Sequence, residues 1–187
     1  DLLETLRDEG LEVWLELGLQ SAFDDTLERV NRGHTLAEYR ETALATRGRG
    51  IPLCTHLIVG LPGEDESHYH STLNTVLEIG VDGLKLHPLH VVKRTILAYQ
   101  WRRGGYQPLS QNNYIRIAAD LIERTPQHVI FHRVTATASK DILLAPEWCS
   151  QKWNILNGIE KELRQRGTRQ GSHVGAAYII EDMQYVA

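Results

Sequence analysis

The chain has 187 residues, 42% apolar and 24% charged, enough chain and an ordinary composition for one globular domain with its own core. Its formal net charge of −4, with Lys and Arg scattered, gives no reason to expect a basic nucleic-acid footprint. No apolar run reaches the about 20 residues that a membrane-spanning helix needs.

Leu2, Leu3 and Leu6 lie at helical spacing, and Gly10 ends that segment. Residues 12–20 read as a buried strand, too short and too apolar for a surface helix. Residues 24–32 form a short helical turn closed by Gly33. Thr35 and Glu38 then make a capping box, whose side chains satisfy each other's free backbone N–H groups, and a helix runs through Leu36, Tyr39, Ala43 and Leu44 to about Gly48. Residues 52–59 are a second strand, followed by Gly60-Leu61-Pro62-Gly63-Glu64. A helix from about Ser67 carries Tyr69, Leu73, Val76 and Leu77 on one face and ends at Gly80. Residues 83–89 are a third strand. This alternation with short loops implies βαβ units and a parallel sheet covered on both faces.

The pattern changes after Arg103, at Gly104-Gly105. Residues 111–124 read as a helix stopped before Pro126, residues 129–132 as a strand, and residues 153–166 as an amphipathic helix. From Thr168 the chain is polar, with a weak strand candidate at residues 177–180. The expected division is therefore 1–103 and an extension over 104–187.

Parallel sheets bind ligands at the C-terminal ends of their strands. Three segments occupy such ends: residues 16–21, 56–64 and 85–90. Each places polar groups directly after apolar ones, and their glycines permit close approach to the backbone. Gln20 has an amide that donates and accepts, or it caps the next turn. Arg32 offers a fork suited to a carboxylate, or it is a solvated charge ending a helical turn. His87 and His90 flank Pro88, and register alone does not say which faces the pocket. Glu16 and Lys85 lie within strands, where charges are rare unless paired, and are expected to form an interior ion pair whose rupture costs roughly 3–5 kcal/mol. His34, His68 and His70 read as surface residues. The histidines show no ligand spacing, so no metal site is expected from the sequence. His132, Trp148 and Cys149 either line the substrate side of the pocket or pack.

The stretches 12–21, 30–34, 56–64 and 83–93, with the later 130–133 and 144–149, resemble the second half of the radical S-adenosylmethionine (SAM) barrel. The branch includes oxygen-independent coproporphyrinogen oxidase and the catalytic subunit of Elongator, and the pattern is most similar to the YhcC-like family of Fe–S oxidoreductases. The resemblance covers about residues 1–165. It implies an α/β fold: a partial (βα) barrel, its last three βα units with parallel strands, and a mixed α/β C-terminal extension. It implies SAM and a [4Fe–4S] cluster as cofactors, reductive cleavage of SAM to a 5′-deoxyadenosyl radical, and an unknown substrate. By the same resemblance Gln20, Arg32, His56, Gly60, Gly63 and His90 are cofactor-binding candidates, with His56 standing where coproporphyrinogen oxidase carries an Asp. Arg94 stands where relatives often have glycine.

The family's Cys-x3-Cys-x2-Cys motif is absent, since the chain has only Cys54 and Cys149. The two cysteines stand far apart, which fits a reducing cytoplasm. Asp1-Leu2-Leu3-Glu4 has neither region of a signal peptide. The chain thus reads as a piece of a longer enzyme, inactive alone. The rival readings are a TIM-barrel metal hydrolase and a non-catalytic module that docks a partner protein. An apolar first strand with a free edge, and an apolar inward face, lead to the expectation of self-association.

Overall fold

The computed structural model describes residues 2–174, so the strand candidate at residues 177–180 lies outside the described residues. The first helix, α1, is Leu2–Asp8, and the first strand, β1, is Leu15–Gln20. β1 is shorter than its apolar run because its partner β2, Leu53–Val59, begins opposite Leu15. Between them lie α2, Asp24–Arg29, and α3, Leu36–Arg47. The Thr35–Glu38 capping box opens α3 as expected. Asp65 caps the next helix, α4, Glu66–Ile79, by accepting from the backbone N–H groups of Ser67 and His68. β3 follows as Gly83–Pro88.

Some short elements were not evident in the sequence, the first being β4, Val91–Val92, and α5, Ile96–Arg102. Then come α6, Gln111–Arg124, and β5, Ile130–Arg133. β6, Leu143–Ala145, pairs antiparallel with β4 in a separate two-stranded sheet. A 3-10 turn at Glu147–Ser150 leads into α7, Lys152–Arg166.

The main sheet has the order β1-β2-β3-β5 and every pairing in it is parallel. The three expected parallel strands are present, and the extension contributes β5 as a fourth. Among the described residues the sheet is open and does not close into a barrel.

One face of the sheet buries Leu19, Leu53, Leu57, Val59, Leu84 and Leu86 against Tyr39, Leu73, Val76, Ile117, Ala118 and Leu121 of α3, α4 and α6. α7 packs on α6 and adds Ile155 and Ile159. In-register pairing gives the opposite face to Glu16, Cys54, His56, Gly83, Lys85 and His87. The expected apolar inward face is therefore a correction. It is polar and charged because the period of two sends every sheet leucine named above to the helices, which removes the apolar patch as a ground for self-association.

Candidate functional site

The polar face reads in rows. Glu16, Cys54 and Gly83 form the row near the strand N-termini, and Gly18, His56, Lys85 and Arg133 form the next. His87 stands one step nearer the C-terminal ends.

Glu16 accepts from Lys85 Nζ through both carboxylate oxygens and contacts His56 Nε2 at 3.0 Å. Those hydrogen bonds hold its carboxyl below the usual range. The expected pair exists, but it is not interior: the side chains are 40% exposed for Glu16 and 14% for Lys85. His56 stacks at 5.5 Å on His87. Burial lowers the His56 pKa against the opposing pull of Glu16. Burial, with the charges of His56 and Arg133, pushes His87 down to about 4. His90 is also lowered by burial, opposed by a hydrogen bond to the Ala136 backbone.

Register places His87 on the polar face, and His90 follows two residues beyond the end of β3. His87 Nε2 and His90 Nε2 are both buried without a hydrogen-bond partner, as is Thr135 Oγ1 just beyond β5. Buried polar atoms normally find partners, so these three at the strand ends are candidate contacts for a ligand.

Gln20 sits at a register shift with φ of 74°. Its amide and the Arg32 guanidinium meet over Gly18, where an added Cβ would lie 2.4 Å from Gln20 Nε2 and 2.8 Å from Arg32 Nη2. Arg32 donates to the Gly18 carbonyl through Nη2 at 2.9 Å, and His34 Nε2 lies 2.9 Å from the same oxygen. His34 is thus a strut for the β1 backbone and not a free surface residue. His68 is tied to Asp65 by its ring Nδ1 at 2.8 Å.

The loop glycines make contacts within the protein. The Gly60 N–H donates to Tyr69 Oη at 3.1 Å, and its carbonyl accepts from Tyr106 Oη at 2.8 Å. Both backbone groups thus have a partner inside the protein, and the carbonyl keeps a second lone pair. Gly63, at φ 85°, lies under Arg29, whose Nη1 donates to the Pro62 carbonyl at 2.7 Å; a Cβ there would lie 2.7 Å from Nη1. These glycines serve close packing.

His132, Trp148 and Cys149 do not form one wall. Trp148 Nε1 donates to the Leu109 carbonyl at 2.9 Å and its ring lies 5.2 Å from that of Tyr114, within the helix-side core. Cys149 is buried, and burial pushes its thiol up to about 12. His132 is on the polar face, its ring edge-on to Trp14 at 4.6 Å. Arg133 and Thr135 were not singled out in the sequence: Arg133 had a signal in the 130–133 stretch, while a loop threonine offers none.

Among the described residues no helix is long and apolar enough to cross a membrane. Residues 1–76 match the Radical SAM superfamily model and residues 81–165 match the Radical_SAM C-terminal domain. Protein YhcC of Escherichia coli (strain K12) is 46% identical over 179 residues, covering 96% of this chain and 58% of that protein. Uncharacterized protein YtqA of Bacillus subtilis (strain 168) is 37% identical over 164 residues, covering 88% of this chain and 51% of that one. The chain thus spans little more than half the length of these relatives. The solved structure of archaeal Methanocaldococcus infernus Elp3 with an N-terminal deletion aligns with a TM-score of 0.76 at 20% identity, over 89% of this chain and 39% of that one, a likeness of fold. With both family models matched in succession on a parallel βα sheet, the chain belongs to the radical SAM superfamily, among the YhcC-like proteins.

Proposed function

We propose that this chain is the SAM-positioning and pocket-shaping part of a longer radical SAM enzyme. The observation that carries the reading is the set of orphaned polar atoms at the strand ends, His87 Nε2, His90 Nε2 and Thr135 Oγ1. They suit the hydroxyl and adenine groups of SAM, because a neutral imidazole nitrogen either donates or accepts. His87, held near 4, is uncharged at neutral pH and so does not repel the sulfonium of SAM. Gln20 stands at the end of β1, across β2 from His87, and adds an amide. Arg32 reaches a carboxylate by releasing the Gly18 carbonyl.

The chain's own residues do not fit a [4Fe–4S] cluster, which takes at least three thiolates in this family. Its two cysteines are buried in separate places, Cys54 on the polar face and Cys149 beside Tyr114 on the helix side. When bound with a reduced cluster in the longer protein, SAM supplies hydrogen-abstraction chemistry. This chain binds and orients; alone it is inactive. The test is anaerobic reconstitution of the longer protein carrying this segment. Reductant-dependent 5′-deoxyadenosine from it, and none from the 187-residue chain, is the expected result; none from the longer protein rejects the reading.

A further inference from the structure

The end of the polar face opposite the SAM-type rim gathers a second set of donors. Glu16, Cys54 and His132 bring one carboxylate oxygen, one thiol sulfur and one imidazole nitrogen within 4.8 Å of one another. Sequence spacing hides this set, because its members come from three strands. Glu16 and Cys54 are register partners on β1 and β2. His132 comes from β5, past β3, and it arrives only because β3 has Gly83 at that row. A Cβ at Gly83 would lie 2.9 Å from His132 Nε2 and 3.1 Å from Trp14 Cζ3. The β3–β5 register shift after Leu84 supplies the extra residue that turns His132 onto this face. Trp14 then holds the ring edge-on.

We propose that Glu16, Cys54 and His132 form a binding site for a borderline-soft divalent cation of the zinc type. Thiolate, imidazole and carboxylate together are a donor set typical of Zn²⁺, with metal–ligand distances of about 2.0–2.3 Å. Donors spaced within 4.8 Å reach those distances by sub-ångström shifts of side chains. The mixture of burial suits entry: Cys54 is buried, whereas Glu16 and His132 are exposed. Three protein ligands leave a fourth position for water. Two groups compete with the ion for Glu16, Lys85 and His56, whose Nε2 lies 3.0 Å from Oε2. Lys85 holds both oxygens of Glu16, so binding requires its ammonium to give up one of them. The Cys54 proton leaves to solvent when sulfur ligates.

That competition makes the site testable. The metal-free 187-residue chain is titrated with Co²⁺ under anaerobic conditions, then with Zn²⁺ against a chromogenic chelator. One equivalent of Co²⁺ should give a thiolate-to-cobalt charge-transfer band, which Zn²⁺ abolishes. Cys54→Ala should lose the band, and His132→Ala, at an exposed position, should keep it while weakening affinity about tenfold or more. Lys85→Met should strengthen binding, an effect that general loss of folding would not produce; circular dichroism of each variant checks the fold. Absence of the band in the unaltered chain overturns the proposal. So does its survival in Cys54→Ala, which would assign it to Cys149, or an affinity indifferent to both His132→Ala and Lys85→Met.

Discussion

Lys85 reaches from β3 to β1, over the intervening β2, to place its ammonium against both carboxylate oxygens of Glu16. The pair is half open to water, so solvent screens it and its coupling should be about 1 kcal/mol, well below that of a fully buried pair. A double-mutant cycle of Glu16→Gln and Lys85→Met, read by urea denaturation, measures this. The lowered Glu16 pKa gives the sign with pH: the contribution is present above the ordinary value of 4.5 and lost as pH falls through the lowered folded value. Strict additivity at pH 7 would reject the pairing.

His87 gives a second pH dependence. Its folded pKa of about 4 lies below the ordinary 6.5, so the unfolded chain binds the proton first. Stability from this group is intact above pH 6.5, falls as pH drops toward 4 and is level below. The two values set an upper bound of about 3 kcal/mol on the loss, which solvent reaching the half-buried ring reduces. The His87→Gln variant should lack this part of the slope between pH 6.5 and 4; parallel stability profiles for the two proteins would remove the inference.

Arg94 has φ of 66°, in the left-handed region that glycine tolerates and arginine resists. Arg94→Gly relieves that strain and loses some to added chain entropy, for a net gain of about 0.5 kcal/mol. A urea midpoint that moves down would show instead that the arginine side chain contributes something its backbone does not.

Arg166 joins α7 to α6 through Asp120 and Glu123, and Glu123 is only 2% exposed. Arg166→Met takes the guanidinium from that carboxylate, which keeps Thr168 Oγ1 and His173 Nδ1 as partners, and should cost about 2 kcal/mol, whereas Arg166→Met with Glu123→Gln should recover part of it. Equal destabilisation in the single and double variants would mean that the packing of the arginine stem, not the charge, carries the effect.

The strands and the long helices were legible because their signals are local. The apolar run of residues 53–59, the Thr35–Glu38 box and the apolar face of α6 each specify an element without reference to the rest of the chain. α5 was not legible, since Ile96 and Tyr99 are exposed and spoil the amphipathic pattern. The Glu16–Lys85 pair followed from two charges in apolar strands, but its exposure depends on which face the helices cover. Gln20 and Arg32 do meet, over Gly18, while Gly60 is bonded to two tyrosines that no loop motif announces. Cys54 and His132 are brought together by the absence of a side chain at Gly83, and Thr135 becomes notable only when its hydroxyl is found buried and unpartnered.

SAM affinity in the longer protein that carries this segment bears most directly on the account. Equilibrium binding is compared for the unaltered protein, Gln20→Ala, His87→Ala, His90→Ala and, as a control on the exposed side of α7, Arg164→Ala. Each rim variant should weaken binding about fivefold, the worth of one lost hydrogen bond of about 1 kcal/mol, with the control unchanged. Unchanged affinity in all three rim variants would contradict the assignment of the strand C-terminal ends as the SAM site.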